Sequence, residues 1–142
     1  MPTGRCLSVW PSSVITITLE HLLRYHRRTF LDLGQPEAPL LSRDRLESVI
    51  ARQEATAFGE ELYPTLPEKA AALLHGITTG HPFMDGNKRA GIGAAMLLLE
   101  LNGVVVDAPI DALYDLTLAV ATGELREVEE IAARIRTLFA LD

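Results

Sequence analysis

A single cysteine, Cys6, in 142 residues leaves no partner for an internal disulfide and no thiolate set for a zinc cluster. That usage fits a reducing compartment, and a cytoplasmic location is the expectation. Cations are short as well: 13 Lys and Arg against 19 Asp and Glu give a formal net charge of −6, and the basic residues are scattered. Coating a nucleic acid needs a basic patch, so no direct nucleic-acid binding is expected, although a local cationic pocket for a small anion stays open. Nor is there a long apolar run. "AGIGAAMLLLELNGVVV" is interrupted at Glu100 and Asn102, well short of the ~20 apolar residues a membrane span requires, so it reads as a buried helix and no membrane is implied. The opening "MPTGRCLSVWPSS" lacks the sustained apolar core of a secretory signal. Residues 1–13 read as a flexible N-terminal extension and 14–142 as one domain, with no internal repeat, low-complexity tract or linker.

What is present is helical patterning. Leu19, Leu22, Leu23, Phe30 and Leu33 recur with helical period until Gly34 and Pro36 end the run. Leu46, Val49 and Ile50 form one face of a second helix that Ser42 can cap. Residues 54–64, "EATAFGEELYP", have no clean period and read as a loop or flap. A third helix opens at Thr65-Leu66-Pro67-Glu68, a capping box with proline in the first turn, and Gly80 is its expected stop. The fourth, apolar nearly all round and ending at Asn102-Gly103, is expected at the centre of the bundle. A fifth covers about 109–122, and a sixth carries the stripe Leu125, Val128, Ile131, Ile135, Leu138. The expectation is an all-α bundle of about six helices, with at most a very short β element at Thr16–Thr18 or Val104–Val106.

The chemistry is concentrated where the fourth helix begins, in "HPFMDGNKRAG", residues 81–91. A helix N-terminus offers unpaired N–H groups and the positive end of the macrodipole, and glycine lets a ligand approach that backbone closely. Gly86, Asn87, Lys88 and Arg89 therefore read as an anion nest, with Arg89 able to clamp phosphate oxygens by its fork. Asp85 makes sense within an anion site if a divalent cation joins it, because Mg²⁺ commonly takes one carboxylate plus phosphate oxygens. His81, just before the nest, is a candidate general base for a hydroxyl. Phe83 is expected to point inward as the anchor of the loop. Base, nest and bridging metal together specify group transfer from a nucleotide to a hydroxyl.

"HPFMDGNKR" resembles the signature of the Fic/Doc family, H-x-F-x-[D/E]-[G/A]-N-x-R. The flanks "LYPTLPEKAAALLHGITTGHPF" and "LLLELNGVVVDAPIDALYDLTLAVATGEL" are similar to its death-on-curing, Doc-like branch, so the likeness spans about residues 15–138. That resemblance implies an all-α Fic/Doc-type core and a toxin of a bacterial toxin–antitoxin system. It implies ATP as substrate and Mg²⁺ as cofactor, with His81 as general base and Asp85 on the metal. Gly86, Asn87 and Lys88 would form the nest, Arg89 would hold phosphate, and residues 54–64 would be the flap that aligns the target. Adenylylating members usually carry glycine between the Asn and the Arg, then a second arginine three places on; here those positions are Lys88 and Ile92. This favours the branch that transfers the γ-phosphate of ATP to a threonine of elongation factor Tu and halts translation. One departure is Gly86, where the phosphorylating type has alanine. The inhibitory pattern [S/T]-x-x-x-E-[G/N] is not matched: Thr56 to Glu60 continues with Glu61, and Thr16 to Glu20 with His21. An antitoxin on a separate chain is accordingly the expected partner, besides a protein substrate.

Simpler readings compete. Asp85 and Arg89 stand at i, i+4 and need be no more than a surface ion pair, while Gly86-Asn87 alone is an ordinary turn. Adenylylation of a protein hydroxyl is a second enzymatic reading, and a catalytically silent protein-binding module of the same fold is a third. His26, on the apolar face of the first helix, reads as a hydrogen-bonded core histidine, and His21 and His75 as packing or surface groups. Glu127, Glu129 and Glu130 read as the wet face of the last helix.

Overall fold

The computed structural model describes residues 14–141; the expected extension at 1–13 lies outside them. Six α-helices follow in order: α1 Leu19–Asp32, α2 Arg43–Ala51, α3 Leu66–Gly80, α4 Asn87–Leu101, α5 Ile110–Thr122 and α6 Val128–Phe139. Between α2 and α3 come a 3₁₀ turn, Arg52–Glu54, and a two-stranded hairpin, β1 Thr56–Ala57 and β2 Glu60–Glu61. The fold is all-α, as its periodicity requires.

Local chemistry sets the boundaries. The Thr18 hydroxyl accepts the His21 N–H at 3.1 Å, and His21 Nδ1 accepts the Thr18 N–H at 3.1 Å, so an imidazole takes the glutamate's part in a capping box. Ser42 caps α2, and Thr65 with Glu68 caps α3. Asn102 and Gly103 close α4 as expected, with Gly103 at φ 85°.

The element at the centre is α3, not α4. α2, the 3₁₀ turn, α4, α5 and α6 all pack on it. Its expected stripe of Leu66, Ala70, Leu73, Leu74 and Ile77 is buried, and so are Ala71, Ala72 and Gly76 on the other side. Sequence hides this because Lys69 and Thr78 make α3 look amphipathic, yet both are buried. Conversely, Ile92, Met96 and Leu97 of the more apolar α4 are only half-buried.

The β element is also elsewhere than expected. Thr16–Thr18 is the entry to α1, where Gln53 clamps both polar groups of Ile17, accepting its N–H at 2.9 Å and donating to its carbonyl at 3.0 Å. Val104 spends its N–H on the Leu99 carbonyl at 3.0 Å, closing α4, so 104–106 has no strand partner. The hairpin lies in the aperiodic stretch instead, pairing Thr56 with Glu61 and Ala57 with Glu60 across Phe58-Gly59. Both turn residues have positive φ, 54° and 80°, the geometry that matches strand twist in a two-residue loop. Two-residue strands are too short for alternation to be read.

Candidate active site

The chain must reverse between α3 and α4, and it does so in residues 81–86. The left-handed residue that ends α3 is His81 itself, at φ 49° and ψ 56°, rather than Gly80. Its N–H still reaches the Ile77 carbonyl at 3.2 Å. A non-glycine residue in this region carries strain of order 1–3 kcal/mol, which the surroundings must impose. They do. The Pro82 carbonyl accepts the N–H groups of Leu41 at 2.7 Å and Ser42 at 3.1 Å, and Met84 N–H donates to the Pro39 carbonyl at 3.0 Å. Residues 39–42 thus hold the reversal from one side.

Side chains of α4 and α1 hold it as well. Phe83 is buried as expected, 1% exposed. The Asn87 carboxamide takes both polar groups of Phe83, accepting its N–H at 3.0 Å and donating to its carbonyl at 2.8 Å. Any part that Asn87 plays toward an anion therefore falls to its main-chain N–H. His26 of α1 is buried, stacks on Phe83 with ring centroids 3.6 Å apart, and donates from Nε2 to the Asp85 carbonyl at 3.0 Å.

Gly86, at φ 82°, is the N-cap of α4, so no side chain closes that end. A Cβ at Gly86 would stand 2.9 Å from the Phe30 ring. The side chains of Thr18, Ser42 and Thr65 each accept one N–H at the starts of α1, α2 and α3; among the described residues α4, like α5, has no side-chain cap. Asp85 precedes this helix and turns Oδ1 to the Gly86 N–H at 2.8 Å. It does not pair with Arg89, and among the described residues neither Lys88 nor Arg89 has an ion-pair partner. The surface ion pair expected of an ordinary helix start is not formed.

These groups line a cleft of about 560 Å³, within the size range of small-molecule sites. His81, Asp85, Lys88 and Arg89 are exposed in it, with Phe30 and Leu33 of the α1 end opposite. Lys88 and Arg89 also border a second, more apolar groove of about 470 Å³ between α4 and α5, lined by Ile92, Ile110, Leu113, Tyr114 and Leu118. Nothing in the motif pointed to this groove, because Ile110 and Tyr114 read simply as members of a helix.

Asp85 is the one carboxylate lining this cleft. Among the described residues Asp85 Oδ2 has no protein partner, and there is no cluster of three His, Cys, Asp or Glu side chains able to hold an ion. That donor set fits a cation bound mainly through the oxygens of a phosphate ligand, not one resident in a protein cage.

Away from the cleft, Lys69 is 3% exposed, and its Nζ donates to Glu61 Oε1 of the hairpin at 2.7 Å and to the Gln53 carbonyl at 2.6 Å. The stretch read as a flap is thus a hairpin tied to α3 by a buried cation, with Phe58 fully exposed at its tip. Half-buried His75 of α3 has its pKa lowered from 6.5, by desolvation first and then by the charge of Arg52, against an opposing pull from Glu127. No helix is long and apolar enough to cross a membrane among the described residues.

The sequence profile of the Fic/DOC family matches residues 16–99. Toxin Doc of Mycolicibacterium smegmatis is 40% identical over 92 residues, 63% of this chain and 70% of that protein. Protein kinase doc of Escherichia phage P1 is 41% identical over 96 residues, 67% of this chain and 73% of that protein.

Proposed function

The chain belongs to the Fic/DOC family, and on that premise we propose that it is a Doc-like toxin that transfers the γ-phosphate of ATP to a Ser or Thr hydroxyl of a protein. The observation that carries this reading is the uncapped N-terminus of α4, with Lys88 and Arg89 beside it, without ion-pair partners among the described residues, and His81 exposed on the same cleft.

In this reading the triphosphate lies against the N–H groups of Asn87, Lys88 and Arg89, with the Arg89 guanidinium on its oxygens. Asp85 would hold Mg²⁺ through Oδ2, and the cation, when bound, neutralises phosphate charge. His81 takes the proton of the target hydroxyl at its imidazole. The hydroxyl oxygen bonds to the γ-phosphorus, the bond from that phosphorus to the β–γ bridging oxygen breaks, and ADP leaves. The strained backbone at His81 holds the base in place before substrate arrives, so little reorganisation is needed at the moment of reaction. By family likeness the target is elongation factor Tu, with a block of translation as the outcome and an antitoxin on a separate chain as the restraint. Cytoplasmic location follows from that target.

Adenylylation is the second reading, and one residue favours it: Gly86 stands where phosphorylating members have alanine. Packing accounts for that glycine, however, since the Phe30 ring occupies the space a Cβ would need. The two cavities meeting at Lys88 and Arg89 offer the nucleotide two ways to lie, with opposite ends of the phosphate chain toward His81. Label position therefore decides. Incubated with a cell extract and Mg²⁺, the protein is expected to deposit label from γ-labelled ATP on a single protein band. Label arriving only from the α position would replace phosphorylation by adenylylation. A His81→Ala variant that still arrested growth would favour the silent binding module.

A further inference from the structure

His26 sits among apolar neighbours. On α1 the buried residues are Leu22, His26 and Phe30, one stripe at intervals of four. Core packing alone asks for leucine or phenylalanine at the middle position. A histidine there brings a polar cost that its surroundings only half repay: Nδ1 is buried with no hydrogen-bond partner, its nearest carboxylate oxygen being Glu37 Oε2 at 4.0 Å. The other nitrogen makes one bond, to the Asp85 carbonyl at 3.0 Å. A carbonyl only accepts, so Nε2 carries the proton. The ring is also nearly parallel to Phe83, at 9°, and lies against Phe30 at 5.0 Å. The Asp85–Gly86 peptide is therefore gripped from α1, by a bond separate from those of residues 39–42.

We propose that His26 is a positioning residue: its Nε2–H fixes the Asp85 carbonyl, and so turns the Asp85 carboxylate and the free N–H groups of α4 toward the cleft. This rests on the transferase reading for its catalytic consequence, but not for its structural one. Rotation of the Asp85–Gly86 peptide would move the carboxylate and the first α4 donors together. A displacement of about 1 Å at such a site costs on the order of 100-fold in rate. Nothing else in the described residues bonds to the Asp85 carbonyl.

Two substitutions separate this role from packing. His26→Phe keeps an aromatic ring between Phe83 and Phe30 but removes the donor. His26→Gln keeps a donor near the same place but removes both stacks. The expected thermal stability therefore ranks Phe above Gln, whereas the expected transfer rate ranks Gln above Phe. For His26→Phe, kcat should fall about tenfold or more with the KM for the protein target within about twofold, and His26→Gln should recover most of the loss. Activity that follows stability in both variants would reduce His26 to a core residue. A second readout does not depend on turnover: amide hydrogen exchange at Phe83, Met84 and Ala90, whose N–H groups are bonded around the loop, should quicken in His26→Phe while α3 and α6 keep wild-type protection. Unchanged exchange there would overturn the proposal. Wild-type protein that labels nothing would sink the transferase reading alone, and the exchange measurement would still decide the role of His26.

Discussion

His81 pays for its position with backbone strain, and that has a measurable consequence. In the left-handed region glycine has no Cβ to clash, whereas alanine does. His81→Gly is expected to match or exceed the melting temperature of His81→Ala, and both are expected to abolish transfer. A glycine variant clearly less stable than the alanine variant would show that the φ of 49° is not strained. Much at this scale was legible in advance. Phe83 is buried and Asp85, Lys88 and Arg89 are exposed around one cleft, as the spacing of the motif demands. What could not be read was the exchange of roles between neighbours. Gly80 was the natural helix stop, yet the reversal falls on His81 because residues 39–42 pull Pro82 toward themselves, and that segment is distant in sequence. The Asn87 carboxamide, too, is taken up by the loop, which no local pattern announces.

Among the elements, the hairpin and α3 are joined through one buried cation. Removing one member of a buried pair typically costs about 3–5 kcal/mol when the remaining charge is left uncompensated. Lys69 is the member that cannot reach water, while Glu61 is a third exposed and can be rehydrated. Glu61→Ala is therefore expected to destabilise the protein more than Lys69→Met, with urea unfolding as the measurement; the reverse order would mean that Lys69 finds water when Glu61 is gone. This link was invisible in sequence because a lysine one turn into a helix ordinarily reads as surface. The helix boundaries were far more legible, since Thr18, Ser42, Thr65 and Asn102-Gly103 act through bonds only a few residues long. The strand was not: its pairing of Thr56 with Glu61 and Ala57 with Glu60 forms from turn geometry at Phe58-Gly59, without any alternation to signal it.

For the molecule as a whole, the placing of α3 at the centre brings His75 half out of water beside Arg52. Its folded pKa is lowered below the unfolded value of 6.5, so the unfolded chain holds more protons as pH falls below 6.5. Stability from this group is fully present above 6.5 and is lost as pH falls through the lowered folded value. His75→Gln is expected to flatten the acid side of a stability–pH curve and to leave its neutral region little changed; an unaltered slope would assign that loss to other groups. The all-α class and the number of helices followed from hydrophobic period. Which helix lies innermost did not, because burial of Lys69 and Thr78 depends on partners that only the assembled bundle supplies.

The proposed transfer requires the open start of α4, with Arg89, to bind a metal-associated triphosphate next to His81. Calorimetric titration of Mg²⁺ and ATP into the wild type, Arg89→Gln and His81→Ala measures that binding. His81→Ala is expected to bind as the wild type does, while Arg89→Gln loses affinity by about tenfold or more, the effect of a charge-assisted bidentate contact worth ~1.5–3 kcal/mol. Equal affinity in wild type and Arg89→Gln, or no binding to the wild type at all, would contradict it.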